Sequence, residues 1–363
     1  MPGHKIIIAG GGTGGHVFPA LSIGRALERK EPDISLLFVG ARGKMEMEKV
    51  PEAGYQIRGL DIAGMDRSHW WKNLSLPFKL LRSYSEAKKI IRSFRPDVVV
   101  GVGGYASFPV LRCAQKAGIP TVIQEQNSYA GKSNQILGRR AARICVAFPG
   151  MERFFPKDKI RNTGNPVRES ITAQKTDPAR ARESFGLHPE GKTLFAVGGS
   201  LGAKSINEAL LQGLDQFRAH GIQLLWQTGK FSYDAVKEAI RGREDQVKAF
   251  AFLQDMEAAY AAADVVVSRA GSTIAELCVA AKPVIFVPYP YAAEDHQTQN
   301  ARSLVSKNAA RMIPDAEAAD RLVPEAIALM EDQHLQRTLI ENIKPLGIAD
   351  ADARIADEIL KLA

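Results

Sequence analysis

The sequence predicts an α/β protein made of two Rossmann-like, doubly wound domains that face each other across a cleft. Three observations predict it. Short runs rich in Ile and Val alternate with segments of helical spacing, as buried parallel strands and their covering helices do. A glycine loop follows the first apolar run of each half. Each half also repeats an Asp-Val-Val-Val run, Asp97–Val100 and Asp264–Val267, that leads into small residues.

A chain of 363 residues suits two domains. With 45% hydrophobic and 24% charged residues, its composition is that of an ordinary soluble globular protein. Cys113, Cys145 and Cys278 are far apart, which excludes a disulfide framework and a cysteine zinc site and points to a reducing compartment. The first residues run straight into a strand pattern with no signal peptide, and no run approaches the roughly 18 apolar residues of a membrane span. A cytosolic location is expected. The charge of +8 is uneven: residues 1–165 hold 26 Lys and Arg against 13 Asp and Glu, and the remainder 22 against 27. A basic first half should meet something anionic, whether nucleic acid, acidic lipid or a phosphorylated substrate.

In chain order, strands are expected at 5–9, 34–39, 97–102, 119–123 and 143–148, with helices at 17–30, 43–53, 77–95, 106–117 and 132–142. Pro149, Gly150, Pro156, Gly164 and Pro166 break the pattern, placing the domain junction within 149–168. The expected division is 1–163, 164–345 and a last helical stretch, 346–363, that crosses back to the first domain. Thr193–Val197 restarts the scheme as a strand, followed by a second glycine loop, Gly198–Ala203.

The first loop, Gly10-Gly11-Gly12-Thr13-Gly14-Gly15-His16, lies between a strand and a helix, where unpaired N–H groups and the helix dipole favour a phosphate. The same run would serve as a tight turn without a ligand. His16 is the only histidine on such a loop, and a helix N-terminus favours the neutral imidazole that suits a general base. The second loop, continuing into Lys204 and Ser205, nearly matches a P-loop, but Ala203 stands where the last glycine belongs. The strands at 264–267 and 284–287 end in Ser268 and Pro288, not in an acidic metal ligand. A dinucleotide dehydrogenase would need an acidic residue after the second strand, where Gly40-Ala41-Arg42 stands. Arg42 leaves NADP open.

Residues 269–300 are dense in polar groups. Gly271, Ser272 and Thr273 begin a helix, Glu276 sits one turn in, where a carboxylate can accept two ribose hydroxyls, and Asp295, Gln297 and Asn300 follow. A capped helix and a solvated loop would look the same. Between 67 and 95, eight Lys and Arg face only Glu86 and are interleaved with Trp70, Trp71, Leu74, Leu76, Phe78, Leu80 and Leu81. That pattern reads as a patch docking on anionic lipid, or as an amphipathic helix with a solvated basic face. No nucleic-acid recognition motif is visible. No metal-binding pattern stands out, and Asp350-Ala351-Asp352 reads as capping charge for the last helix.

Together, Gly11–Ala20, Gly103-Gly104-Tyr105, Glu125-Gln126-Asn127 with Gly131 and Asn134, Gly164–Arg168, Gly198-Gly199-Ser200, and Asp295–Thr298 with Asn300 closely resemble the MurG family, along essentially the whole chain. These are peripheral-membrane glycosyltransferases of bacterial cell-wall synthesis. The resemblance implies a GT-B fold and transfer of GlcNAc from UDP-GlcNAc to the muramyl C4 hydroxyl of lipid I, with inversion, giving lipid II. It implies donor contacts from Thr13, Gly14, Gly15, Asn127, Arg168, Ser200, Leu253, Gly271, Ser272, Thr273, Ile274, Ala275, Glu276, Gln297 and Asn300. Glu276 would hold the ribose, and the Leu253 region the uracil through its backbone. His16 is expected as the base and Asn127 as the residue orienting sugar or acceptor. Gly12, Gly103, Gly104 and Tyr105 would hold the acceptor pyrophosphate.

The UDP diphosphate would be stabilised by the Ser200 loop, the 271–273 helix start and Arg168, with no cofactor and no protein-held metal. Trp70, Trp71, Lys72, Leu74, Phe78, Lys79, Leu81 and Arg82 would seat the enzyme peripherally on the cytoplasmic face of the inner membrane. Partners are then UDP-GlcNAc, lipid I, an anionic membrane surface and cell-wall synthesis proteins, and not nucleic acid. Leu201 departs from the family, many members of which carry Gln there, so one minor donor contact is lost. Two other classes stay open: a non-catalytic binder of sugar nucleotide or lipid pyrophosphate, and a UDP-GlcNAc 2-epimerase, which shares the architecture.

Overall fold

A computed structural model describes residues 3–62, 76–172, 176–199 and 201–363, with side chains 76–79 left aside. The chain forms two compact units, Met1–Val167 with Ala349–Ala363, and Arg168–Ile348.

The first unit is built on a seven-stranded sheet whose described pairings are all parallel: β1 (Lys5–Ala9), β2 (Ser35–Ala41), β3 (Ile57–Leu60), β4 (Val98–Gly101), β5 (Thr121–Glu125), β6 (Arg143–Val146) and β7 (Ile160–Asn162), in the order β3-β2-β1-β4-β5-β6-β7. Successive residues of a strand face opposite ways, so β1 feeds two cores. Ile6 and Ile8 join Val17, Ile23 and Leu27 of the helix Gly14–Lys30, while Ile7 and Ala9 join Ile91, Val110 and Leu111. The helix Ala351–Leu360 packs on Gly14–Lys30, adding Ile355, Ala356 and Ile359 to the first of these cores. Arg29–Asp352 (2.7 Å) and Lys30–Asp357 (2.8 Å) tie the two helices, so Asp352 forms an ion pair, and Asp350 pairs with Arg354.

The second unit has a six-stranded parallel sheet: β8 (Lys192–Val197), β9 (Ile222–Gln227), β10 (Val247–Phe250), β11 (Val265–Ser268), β12 (Val284–Phe286) and β13 (Arg311–Met312), in the order β10-β9-β8-β11-β12-β13. Trp226, Phe195 and Tyr260 are among its largest fully buried side chains. The strands expected from the sequence appear within two residues of their expected bounds, but that reading does not mark β9, β10 or β13. The sequence passes over the edge strands β3 and β7 because each is short, half-exposed and mixed in polarity, without the apolar run that marks a strand buried on both faces.

Candidate active site

In each sheet the strand order turns at the first strand of the unit, β1 beside β4 and β8 beside β11. Loops leaving the carboxyl ends of such neighbours diverge and open a crevice, the usual ligand position in doubly wound folds. The sequence puts its glycine loops there.

In the first unit, the loops after β1 and β4 meet backbone to backbone. Gly11 N donates to Gly103 O (3.2 Å) and Val102 N to Ala9 O (3.0 Å). Gly104 has φ +84°, and a Cβ there would lie 2.2 Å from Gly11 O, so only glycine lets the two loops approach. The imidazole of His16 rests against Gly103, whose absent Cβ would fall 2.7 Å from its Cδ2. Thr13 stands at the N-cap of Gly14–Lys30 without capping it. Its hydroxyl lies 3.1 Å from His16 Nδ1 instead. Gly12, Gly14, Gly15 and His16 are partly buried, and Thr13 and Tyr105 are exposed.

Two buried carboxylates brace these loops. Glu46, 2% exposed, accepts from Gly12 N (2.7 Å) and Ala41 N (2.9 Å). The Gly12 N–H therefore points at a protein carboxylate. Glu125, also 2% exposed, accepts from Asn127 N (3.1 Å), Asn127 Nδ2 (3.4 Å), Gly131 N (3.3 Å) and Asn134 Nδ2 (2.8 Å). Burial pushes its carboxyl above the usual range, and the four donors oppose that rise. Asn127 is thus held at main chain and side chain by one neighbour. Gln126 Nε2 donates to Val102 O (2.7 Å) and Gln124 Nε2 to Asn165 Oδ1 (3.0 Å), linking the motif to the β4 loop and to the Gly164–Arg168 stretch.

In the second unit, Glu276 lies one turn into the helix Thr273–Ala280 and is mostly buried. Tyr260, fully buried, donates its hydroxyl to Glu276 Oε2 (3.0 Å), and Arg168 Nε lies 3.5 Å from Oε1. Burial raises the Glu276 carboxyl above its ordinary value, against the pull of Arg168 and Tyr260. The N-cap Ser272 leaves its helix start without a side-chain cap, and Gly271 faces the Gln297 amide, whose Oε1 accepts from Tyr289 N (2.9 Å). Ile274 is buried and Ala275 partly so. Leu253 is buried, and its N–H donates to Gln227 Oε1 (2.9 Å).

Asn300 is 1% exposed and donates from Nδ2 to Ala270 O (3.2 Å), bracing the loop after β11 from beneath. Glu294 and Asp295 both take left-handed backbone (φ +57° and +52°), a strained pair just before the helix His296–Val305. In the loop after β8, Gly202 and Gly229 touch backbone to backbone, a Cβ on Gly229 falling 2.0 Å from Gly202 N. Ser205 donates to Asp315 Oδ1 (2.5 Å), which also binds Arg269. The serine of the near-P-loop is thus committed to a protein carboxylate. Leu201 is exposed.

Ser200 lies outside the described residues, as do Trp70, Trp71, Lys72, Leu74 and the side chains of Phe78 and Lys79. Leu80 and Leu81 are exposed on the helix Leu76–Phe94, and Arg82 reaches Asp61 (3.1 Å) and Glu86 (3.5 Å). Among the described residues, no group of three or more His, Cys, Asp or Glu is placed to hold a metal, and no helix is long and apolar enough to cross a membrane.

Sequence reasoning missed Glu46, Tyr260 and the Arg269–Asp315 pair. Glu46 opens the run Glu46-Met47-Glu48-Lys49, which reads as a solvated charged face, and Tyr260 sits in an alanine-rich segment that reads as core.

Comparison with known proteins agrees with this geometry. Residues 6–146 match the glycosyltransferase family 28 N-terminal domain and residues 193–355 its C-terminal domain. A protein of Bacteroides fragilis is 52% identical over 99% of this chain and 96% of its own length, and one of Cytophaga hutchinsonii is 49% identical over 99% and 97%. Both are named UDP-N-acetylglucosamine–N-acetylmuramyl-(pentapeptide) pyrophosphoryl-undecaprenol N-acetylglucosamine transferase. The crystal structure of Acinetobacter baumannii MurG superposes with a TM-score of 0.79 at 27% identity, covering 99% of this chain and 100% of that one. A UDP-GlcNAc 2-epimerase from Neisseria meningitidis, 16% identical with a TM-score of 0.72 over 98% and 100% of the chains, shares the fold alone. The chain belongs to the UDP-N-acetylglucosamine–N-acetylmuramyl-(pentapeptide) pyrophosphoryl-undecaprenol N-acetylglucosamine transferases of glycosyltransferase family 28.

Proposed function

We propose that this chain is an inverting glycosyltransferase that moves GlcNAc from UDP-GlcNAc to the C4 hydroxyl of the muramyl sugar of lipid I, forming lipid II. The observation that carries this reading is its full-length likeness to transferases named for that donor and acceptor. The geometry supports the following roles. Inversion is one in-line displacement at the anomeric carbon, so it needs a base for the acceptor hydroxyl and stabilisation of departing UDP. His16, whose Nδ1 lies 3.1 Å from Thr13 Oγ1, takes the proton of the acceptor hydroxyl. Asn127, fixed by Glu125, orients the reacting sugar. Glu276 holds the ribose hydroxyls, and Arg168 with the 271–273 helix start balances charge on the diphosphate. The Gly103, Gly104 and Tyr105 loop, zipped to Gly11, cradles the acceptor pyrophosphate.

The deciding measurement is UDP release from UDP-GlcNAc with and without a short-chain lipid I analogue. Release that requires the analogue and yields a disaccharide product is expected. Tight donor binding with no transfer would indicate a binding protein, and acceptor-independent UDP loss an epimerase.

The stretch from Trp70 to Arg82 seats the enzyme on the anionic cytoplasmic leaflet, a reading supported by Leu80 and Leu81 standing exposed beside Arg82. Replacing Trp70, Trp71 and Phe78 together by Ser should lower binding to anionic vesicles at least tenfold, since each buried aromatic contributes on the order of 1.5–3 kcal/mol. Unchanged vesicle binding would sink the membrane reading.

A further inference from the structure

We infer that Tyr260 is a positioning residue that sets how many hydrogen bonds Glu276 can accept from the donor, and so makes the site selective for a ribose cis-diol. The inference rests on the assignment of Glu276 to the ribose. An ionised carboxylate offers about four lone-pair sites on its two oxygens. Tyr260 engages one on Oε2 at 3.0 Å, and Arg168 faces Oε1 from 3.5 Å. One oxygen is thus served by each protein neighbour, and about two acceptor sites remain, the number of hydroxyls a ribose presents. A 2′-deoxyribose would leave one of the two unmet in a largely buried site, and an unmet buried acceptor is costly.

Tyr260 is well built for this task. It is fully buried and cannot itself meet solvent, and its ring packs edge-on against Phe195 at 5.8 Å, which fixes where the hydroxyl points. It comes from the helix Met256–Ala262, Glu276 from Thr273–Ala280, and Arg168 directly precedes the short helix Glu169–Thr172, so three segments converge on one carboxylate. The other charged residues on the elements packed here are Glu257, which accepts from Thr176 at 3.0 Å, Glu169, and Lys344 on the turn packed against Thr273–Ala280.

The hydroxyl donates to the charged carboxylate and so favours it, whereas burial favours the neutral acid. Removing the hydroxyl should therefore carry the Glu276 carboxyl still higher.

The experiment compares wild type, Tyr260→Phe, Glu276→Gln and the double variant in steady-state transfer, with UDP-GlcNAc and its 2′-deoxyuridine analogue as donors and across acidic to neutral pH. Tyr260→Phe keeps the ring and its packing, and thermal unfolding checks that each variant is folded. The expected result is a rise of about tenfold in KM for UDP-GlcNAc, about the effect of one hydrogen bond to a charged group, with a much smaller change in kcat. The preference for ribose over deoxyribose should narrow, and the acid-side loss of donor affinity should move to higher pH. In the Glu276→Gln background Tyr260→Phe should add nothing, because it acts through that carboxylate. If Glu276→Gln weakens the donor while Tyr260→Phe leaves KM, diol preference and pH profile unmoved, the inference is wrong and the ribose assignment stands. If Glu276→Gln itself leaves donor affinity unchanged, the ribose assignment falls and the inference with it.

Discussion

Replacing His16 by alanine is expected to lower turnover by about 10²–10⁴-fold, the usual contribution of a positioned general base. UDP affinity should change little, because His16 belongs to the first unit and the residues assigned to the ribose and diphosphate to the second. The geometry makes the prediction sharper than a motif can. Thr13 lies 3.1 Å from Nδ1, and the ring lies against the bare face of Gly103. The position of the ring is therefore set before an acceptor arrives. Thr13→Val keeps the shape and removes the hydrogen bond, and should lower kcat by about tenfold, as loss of an orienting partner of a histidine does. Rates measured at saturating UDP-GlcNAc with a lipid I analogue test both. Near-normal turnover in His16→Ala would remove the histidine from the chemistry.

The second large effect is on stability. Glu125→Leu should destabilise the first unit by roughly 3–5 kcal/mol, since it strips four hydrogen bonds from donors on Asn127, Gly131 and Asn134, the last of them buried. Two units need not melt together, so hydrogen exchange in the 125–137 segment is the appropriate readout. Glu125→Gln should cost less, because one amide oxygen still accepts while the amide nitrogen meets other donors.

The pH dependence has a definite sign. Burial raises the folded-state carboxyl of Glu125 above its unfolded value. Its contribution to stability is then fully present below the unfolded value and is lost as pH rises through the folded one. Glu125→Gln should flatten that slope. Wild-type exchange rates in Glu125→Leu would show that the carboxylate does not organise the loop.

The central strands of the first unit and both glycine loops are legible in the sequence because one requirement produces the pattern. A parallel strand buried on both faces must be continuously apolar, as in Ile6–Ala9 and Val98–Val100, and a backbone that meets another backbone must be glycine, as at Gly104. The edge strands β3 and β7 carry no such demand and leave no pattern. The candidate site is legible where its residues stand on those loops, as His16 and Gly103 do, and Glu276 is legible from its place one turn into a helix. The braces are not. Glu46, Tyr260 and Asp315 act on partners 34, 16 and 46 to 110 positions away in sequence, and their type alone does not distinguish a buried acceptor from a solvated one. Asn300 shows the converse: a polar residue among ligand-like neighbours turns inward to hold Ala270.

The docking of Ala351–Leu360 on Gly14–Lys30 bears on the order in which the protein matures on the ribosome. Residues Arg168–Ile348 form one uninterrupted stretch and can collapse as soon as they emerge. The first unit, though begun earlier, must wait with the flank of Gly14–Lys30 uncovered until Ile355 and Ile359 arrive, two side chains whose burial contributes on the order of 3–6 kcal/mol. The part of the chain that carries His16 is thus begun before the second unit and completed after it.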